Sequence, residues 1–281
     1  MSVQMQTAEE MRTAKEIQMP PADATAGIFD THAHYDDEAF DGDREELLAG
    51  MEAAGIRRIV NVSSSLATTQ STAQLAARYP FVYGTVGVHP DEVGELNEET
   101  FAWLGEAARG QKIAAIGEIG LDYHWDVEER QVQKYWFIRQ LELARELNQP
   151  VVIHSRDAAQ DTLEIIKEQA AGLTCDLHCF SYGVELAREY LNRGHYLGIG
   201  GVLTFKNARK LKEVAFYAPL DRILLETDCP YLSPEPNRGK RNSSLNLPFV
   251  VGELARLKGV SEERIIEATW ENALRFYRME E

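Results

Sequence analysis

The stretch 28-IFDTHAHYD-36 opens the folded part of the chain. Ile28 and Phe29 begin a β-type run that ends in two histidines, His32 and His34. Successive side chains of a strand point to opposite faces, so alternation puts Asp30, His32 and His34 on one face and Phe29, Thr31 and Ala33 on the other. Two imidazoles and a carboxylate on one face can grip a metal ion. The same stretch decides between two α/β folds. An open, doubly wound sheet needs a glycine-rich phosphate loop after its first strand, and this chain has HAH there.

Outward from this strand the pattern repeats. Strands are expected at Ile28 to His32, Arg58 to Val62, Val82 to Val88, Ala114 to Ile119, Val151 to His154, Thr174 to His178, Tyr196 to Gly200 and Ile223 to Thr227. Helices are expected between them at 43–54, 68–78, 99–108, 129–147, 158–170, 184–192 and 208–216, with two more at 247–257 and 261–277. In the helix from Glu129, Val132, Trp136, Ile138, Leu141, Leu143, Ala144 and Leu147 form an apolar stripe at helical period. Parallel strands need helical crossovers, and eight strand-helix repeats close into a filled (β/α)8 (TIM) barrel.

Bulk properties narrow the function classes. A chain of 281 residues, 44% of them hydrophobic, can bury a large core. Residues 1–27 read as a flexible extension, with a candidate short helix from Glu9 to Ile17 stopped by Pro20 and Pro21, and residues 28–281 as the barrel domain. No run of about eighteen apolar residues suggests a membrane span, and no secretory signal opens the chain, so a cytoplasmic address is expected. The three cysteines do not form a disulfide framework. Cys175 and Cys179 flank His178, but on a strand both face away from it, which disfavours a thiolate zinc site. The formal net charge of −16 argues against broad attraction to nucleic acid, so a phosphate-bearing substrate needs local cations.

In such a barrel the active site lies at the carboxyl ends of the strands. His32 and His34 end the first expected strand, Glu118 the fourth, His154 the fifth, His178 the sixth and Asp228 the eighth. Four imidazoles and two carboxylates on one rim suffice for two divalent cations, with open positions for water and substrate. The imidazole-rich set favours zinc, manganese or nickel by affinity, while a nuclease often works with magnesium or manganese. A closely spaced metal pair fits phosphate-ester hydrolysis. Glu118 is then the bridging ligand, and Asp228 binds one metal and takes the proton of the attacking water. Glu226, Asp30 and Asp122 are candidate partners that fix the histidine tautomers.

The segments DTHAHYD at Asp30, VGVHP at Val86, GEIGLDY at Gly117, VVIHSRDA at Val151, HCFS at His178, GGVLTFKNA at Gly200, LLETDCPYLSP at Leu224 and RGKRN at Arg238 carry a resemblance. From Ile28 onward the chain closely resembles the TatD family of metal-dependent deoxyribonucleases, within the amidohydrolase-like barrels. That resemblance implies a (β/α)8 fold, a divalent metal pair held by His32, His34, Glu118, His154, His178 and Asp228, and cleavage of DNA phosphodiesters from a 3′ end of single strands. Relatives acting on other esters, such as D-aminoacyl-tRNA, supply the alternative activity. The chain departs from the family pattern at Tyr182, which could set a ring over the cleft, and at Ser243 and Ser244 after RGKRN. Both departures bear on the substrate side.

Arg156, Lys206, Arg238, Lys240 and Arg241 follow the fifth, seventh and eighth strands and are the expected contacts to backbone phosphates of a single-stranded DNA end. Tyr123, Trp125, Phe180, Tyr182 and Phe205 are candidates for stacking on bases, and His89 and His124 for phosphate contacts. No obligate protein partner is evident. A non-catalytic binding barrel would have lost at least one ligand, and all six are present.

Overall fold

A computed structural model describes residues 27–125 and 127–280. The expected extension over residues 1–26 and its short helix lie outside them. Eight strands run β1 Ile28–Ala33, β2 Ile56–Asn61, β3 Val82–Val86, β4 Ile113–Asp122, β5 Val151–Arg156, β6 Cys175–Leu177, β7 Tyr196–Ile199 and β8 Ile223–Leu225. They pair in parallel in chain order, and the bridge between Ala33 and Cys229 joins the last to the first. This is the (β/α)8 barrel read from the sequence.

Nine α-helices accompany the strands among the described residues: α1 Arg44–Ala49, α2 Leu66–Arg78, α3 Glu98–Ala107, α4 Arg130–Leu147, α5 Ala159–Gln169, α6 Val184–Leu191, α7 Arg209–Tyr217, α8 Leu247–Lys258 and α9 Glu262–Tyr277. The helix expected over 43–54 is broken: α1 stops at Gly50, and a separate 3-10 turn, Glu52–Ala54, finishes the segment. None of the helices is long and apolar enough to cross a membrane.

Two apolar layers hold the barrel. One lies between strands and helices, where Phe137, Leu141 and Ala144 of α4 pack against Ile116, Ile119 and Leu121 of β4. The other fills the inner base, where Trp270, Phe276 and Tyr277 of α9 close over Phe29, Val60, Val152 and Leu224. With the base plugged by aromatic rings, the opposite end is the mouth.

Candidate metal centre

Two irregularities in the barrel aim the ligands. Strand β1 shifts register against β2 between Asp30 and Ala33, and β4 shifts against β5 between Ile116 and Ile119. Phe29 and Ala115 pack in the inner cluster, yet His32 and Glu118, each three residues further on, also reach the inner site. Strict alternation sends residues three apart to opposite faces, so each shift re-aims one side chain, as bulges beside active sites do. The alternation expected for β1 therefore fails: Phe29 faces inward while Ala33 packs among the outer layer. It holds in β5 and β8, where Val152 and Leu224 are inner residues in step with His154 and Glu226. Gly117 carries the β4 shift at φ 156°, and a Cβ there would come within 2.6 Å of the Val152 Cβ.

The side chains converge into two donor sets around one carboxylate. In the first, His32 Nε2 lies 3.2 Å from His34 Nε2, 3.5 Å from Glu118 Oε2 and 3.7 Å from Asp228 Oδ1. His34 Nε2 is 3.3 Å from Asp228 Oδ1 and 3.9 Å from Glu118 Oε2. In the second, Glu118 Oε1 is 2.7 Å from His154 Nδ1 and 2.9 Å from His178 Nε2, and those nitrogens are 3.4 Å apart. Donors about 2.1 Å from a shared tetrahedral cation stand roughly 3.4 Å apart, so both sets fit a divalent ion of that kind.

Electrostatics favour positive charge at these donor sets. Burial would raise Glu118, but His178, His154 and His32 override it and hold its carboxyl well below the usual range. Burial also works against the charged imidazoles, yet His34 is pushed up to about 9 by Asp228, and His154 to about 9 by Asp122 and Glu118. The carboxylates thus retain protons on the atoms that a cation would contact. None of the three cysteines joins a metal-competent group among the described residues, and Cys175 and Cys229 are buried in the outer layer.

Supporting residues fix the ligands. His34 Nδ1 donates to the Val62 carbonyl at 2.9 Å, and His154 Nε2 donates to Asp122 Oδ2 at 3.0 Å. Asp122 is itself set by Gln133 of α4, whose amide accepts from the Asp122 N–H and donates to its carbonyl, both at 2.9 Å. Gln140, seven residues on, brackets Val88 in the same way. The sequence reading passed over both glutamines, although their spacing on the apolar stripe of α4 is a visible signal. Asp30 holds no histidine ring: it accepts from the backbone N–H groups of His32 and Thr227 and from the hydroxyls of Thr227 and Ser244.

His89 caps the turn Pro90–Glu95, and its Nδ1 accepts from the Asp91 N–H at 3.2 Å. The other nitrogen, Nε2, therefore carries the proton and faces Glu118 Oε1 at 3.9 Å. Burial and neighbouring His154 push His89 down to about 3, so the ring is neutral. With His34, His154, His178, Asp228 and Tyr231 it lines a mouth cavity of about 460 Å³.

The expected substrate residues divide. Arg156, Lys206, Arg238 and Lys240 are exposed; Arg156 lies over the Trp125 ring at 5.3 Å and Arg238 over Phe205 at 4.2 Å. Arg241 instead grips both carboxylate oxygens of Asp43, at 2.6 and 2.7 Å, and covers Phe40 at 4.8 Å, so it pins the β8 loop to the segment after β1. Tyr123 is occupied, with its hydroxyl on Asp161 and Arg130 over its ring. Phe180 is buried, and the Tyr182 hydroxyl is tied to Ser155, so neither ring stands free over the cleft. His124 pairs with Asp157 at 3.0 Å. Trp125 is the most exposed of the five rings at 61%, with Arg156 and His124 against it. Ser243 and Ser244 are fully buried, not substrate-side.

Comparison with known proteins agrees with this fold. Residues 29–278 match the family described as TatD related DNase. The chain is 43% identical over 253 residues to the Bacillus subtilis (strain 168) protein named "Uncharacterized metal-dependent hydrolase YabD", covering 90% of this chain and 99% of that one. It is 34% identical over 257 residues to the Cronobacter sakazakii protein named "3'-5' ssDNA/RNA exonuclease TatD", covering 89% and 97%. The crystal structure of YJJV, a TatD homolog from Escherichia coli K12, superposes with a TM-score of 0.85 at 28% identity, covering 90% and 98%. With the match spanning the whole ring of strands and every ligand strand within it, the chain belongs to the TatD family of metal-dependent hydrolases.

Proposed function

We propose that the chain is a nuclease that removes nucleotides from the 3′ end of single-stranded DNA with two divalent cations. The observation that carries this reading is Glu118: its Oε2 faces His32, His34 and Asp228, and its Oε1 faces His154 and His178. One carboxylate serving two donor sets is the arrangement a closely spaced pair requires. Bound there, the cations supply Lewis acidity that activates water and offsets charge on the phosphoryl oxygens.

The protein's own groups do the rest. Asp228 has an 18% exposed side chain against 5% for Glu118, so it is the carboxylate that an incoming water meets and the acceptor for its proton. The neutral His89 donates its Nε2 proton to a phosphate oxygen. Arg156, Lys206, Arg238 and Lys240 attract the backbone of the strand, and Trp125 stacks on a base. Asp36, Asp37 and Glu38, which line the cavity, repel phosphates, which disfavours passage of a continuous strand and favours a terminus at the metals. The Cronobacter sakazakii relative's name supports the 3′ polarity.

Protein stripped with EDTA and reloaded with zinc, manganese, magnesium or nickel, followed by elemental analysis and an assay on end-labelled oligonucleotides, tests the reading. Two equivalents of metal and shortening from the 3′ end are expected, with Glu118→Gln lowering the rate at least about 100-fold. Inactivity with all four metals, or hydrolysis of D-aminoacyl-tRNA in place of DNA, would overturn it.

A further inference from the structure

A metal-ligating histidine ordinarily donates its second ring N–H to a fixed acceptor, which sets the tautomer and the ring plane. Two of the four ligating histidines do so here, His34 to Val62 and His154 to Asp122. The other two do not. His32 Nδ1 and His178 Nδ1 are sealed from solvent without a hydrogen-bond partner. Both rings direct Nε2 toward Glu118, so Nδ1 is the atom left to donate.

These two rings belong to different donor sets, and they stack on one another with centroids 3.9 Å apart and planes 14° apart. Beneath them is Glu226. His32, His178 and Glu226 bring polar atoms within 4.8 Å of one another, and His178 Nδ1 lies 3.8 Å from Glu226 Oε1. The Glu226 side chain is buried; one oxygen accepts from the Cys179 N–H, while the other, Oε2, has no partner. Two orphaned donors thus lie near one buried carboxylate that keeps an oxygen unpaired, with His178 Nδ1 the nearer at 3.8 Å and His32 beyond 4 Å. Buried polar groups are paired as a rule, so this coincidence calls for a shared explanation.

The neighbouring strand makes room for it. Gly198 of β7 faces the same spot, where a Cβ would overlap the Glu226 carboxylate and come within 2.9 Å of the His178 Cα. Glycine at this position keeps the space that the carboxylate fills. Asp176 is the other buried carboxylate nearby, also without partners, but unlike Glu226 it has no oxygen within 4 Å of the His178 ring nitrogens.

We propose that Glu226 is a positioning residue that accepts from the Nδ1 protons of His32 and His178 together and so aligns one ligand of each donor set through a single carboxylate. The inference rests on the metal-centre reading and deepens it: the two cation sites share Glu118 between them and Glu226 behind them. Losing Glu226 should then weaken both sites, whereas losing Asp122, which supports His154, should weaken one.

Long-range proton–nitrogen NMR of the imidazoles, in the metal-free and zinc-loaded protein, combined with zinc titration calorimetry, tests this. In the zinc-loaded wild type, His32 and His178 should be Nδ1–H tautomers and His154 the Nε2–H tautomer. Glu226→Gln should move the His32 and His178 Nδ1 protons together, leave the His34 Nδ1 and His154 Nε2 protons in place, and reduce zinc affinity at both sites by about 10- to 100-fold. Gly198→Ala, which alters no polar group, should give the same pattern by displacing the carboxylate; it and Glu226→Asp are the readouts if Glu226→Gln does not fold. Unmoved Nδ1 protons with unchanged zinc affinity in these variants would overturn the inference, as would Asp176→Asn alone producing the shift. Failure of the wild type to take up zinc would count against the metal centre itself, and the metal-free spectra would still decide the role of Glu226.

Discussion

At the scale of single residues, the site depends on small polar groups that carry no chemistry of their own. Ser244 is fully buried; its hydroxyl donates to Asp30 Oδ2 at 2.6 Å and sits 2.8 Å from the Tyr35 hydroxyl, which in turn accepts from the Ser244 N–H. Asp30 then anchors the backbone of His32 and Thr227 across the β1–β8 seam. Ser244→Ala leaves Asp30 one donor short in a sealed environment, so it should destabilise the fold by about 1–3 kcal/mol, read as a lowered urea midpoint with an unchanged slope. A midpoint equal to wild type would remove Ser244 from this network. The six proposed metal donors were legible in the sequence because imidazoles and carboxylates announce their chemistry wherever they sit. Ser244 was not, because a serine after an Arg/Lys-rich turn reads as a loop, and only the fold brings residue 244 against residue 30. Arg241 shows the reverse: a cation at the rim looks free in the sequence, and Asp43 claims it.

At the scale of elements, strand number and order followed from the spacing of apolar runs and turn residues. What spacing could not give was the pair of register shifts in β1 and β4, since alternation assumes a regular ladder and the shifts appear only when each strand meets its neighbour. Strand β7 offers a pH test of packing away from the metals. His195, just before β7, is 4% exposed; its Nδ1 accepts from the Cys175 N–H at 3.2 Å, next to the Tyr190 ring. Burial, then Arg193, push its pKa down to about 4 from the ordinary 6.5. The folded state therefore disfavours the proton that the unfolded chain binds, so this contribution is complete above pH 6.5 and is lost as pH falls from 6.5 toward 4. The loss is on the order of 2–3 kcal/mol. His195→Asn, whose amide oxygen can keep the bond to Cys175, should flatten the stability profile over that window; equal slopes for the two proteins would exclude His195 as the titrating group.

For the whole molecule, the difficulty is a net charge of −16 in a protein proposed to hold a polyanion. Attraction must be local, because charges farther apart than a Debye length of about 8–10 Å are largely screened at ordinary ionic strength. The barrel solves this by topology. Loops after distant strands carry Arg156, Lys206, Arg238 and Lys240, separated by up to 84 positions in the chain, to exposed positions, while Asp36, Asp37 and Glu38 line the metal cavity and Lys240 shares a neighbouring cleft with Asp37 and Glu38. If all four cations contact phosphates, the affinity for single-stranded DNA should fall with salt at a log–log slope of about −3, near −0.7 for each contact. Replacing Arg156 and Arg238 by alanine should then cut that slope by about 1.4 in magnitude. Binding should weaken across all sequences alike, since phosphate contacts carry no base information. Arg241→Ala should behave differently, lowering stability through the lost Asp43 pair while leaving the salt slope nearly intact. Fluorescence anisotropy across a salt series, run without divalent metal to prevent cleavage, separates the cases. An unchanged slope in the double variant would mean that these guanidiniums never reach the strand, and recognition would then have to come from the metal centre and Trp125.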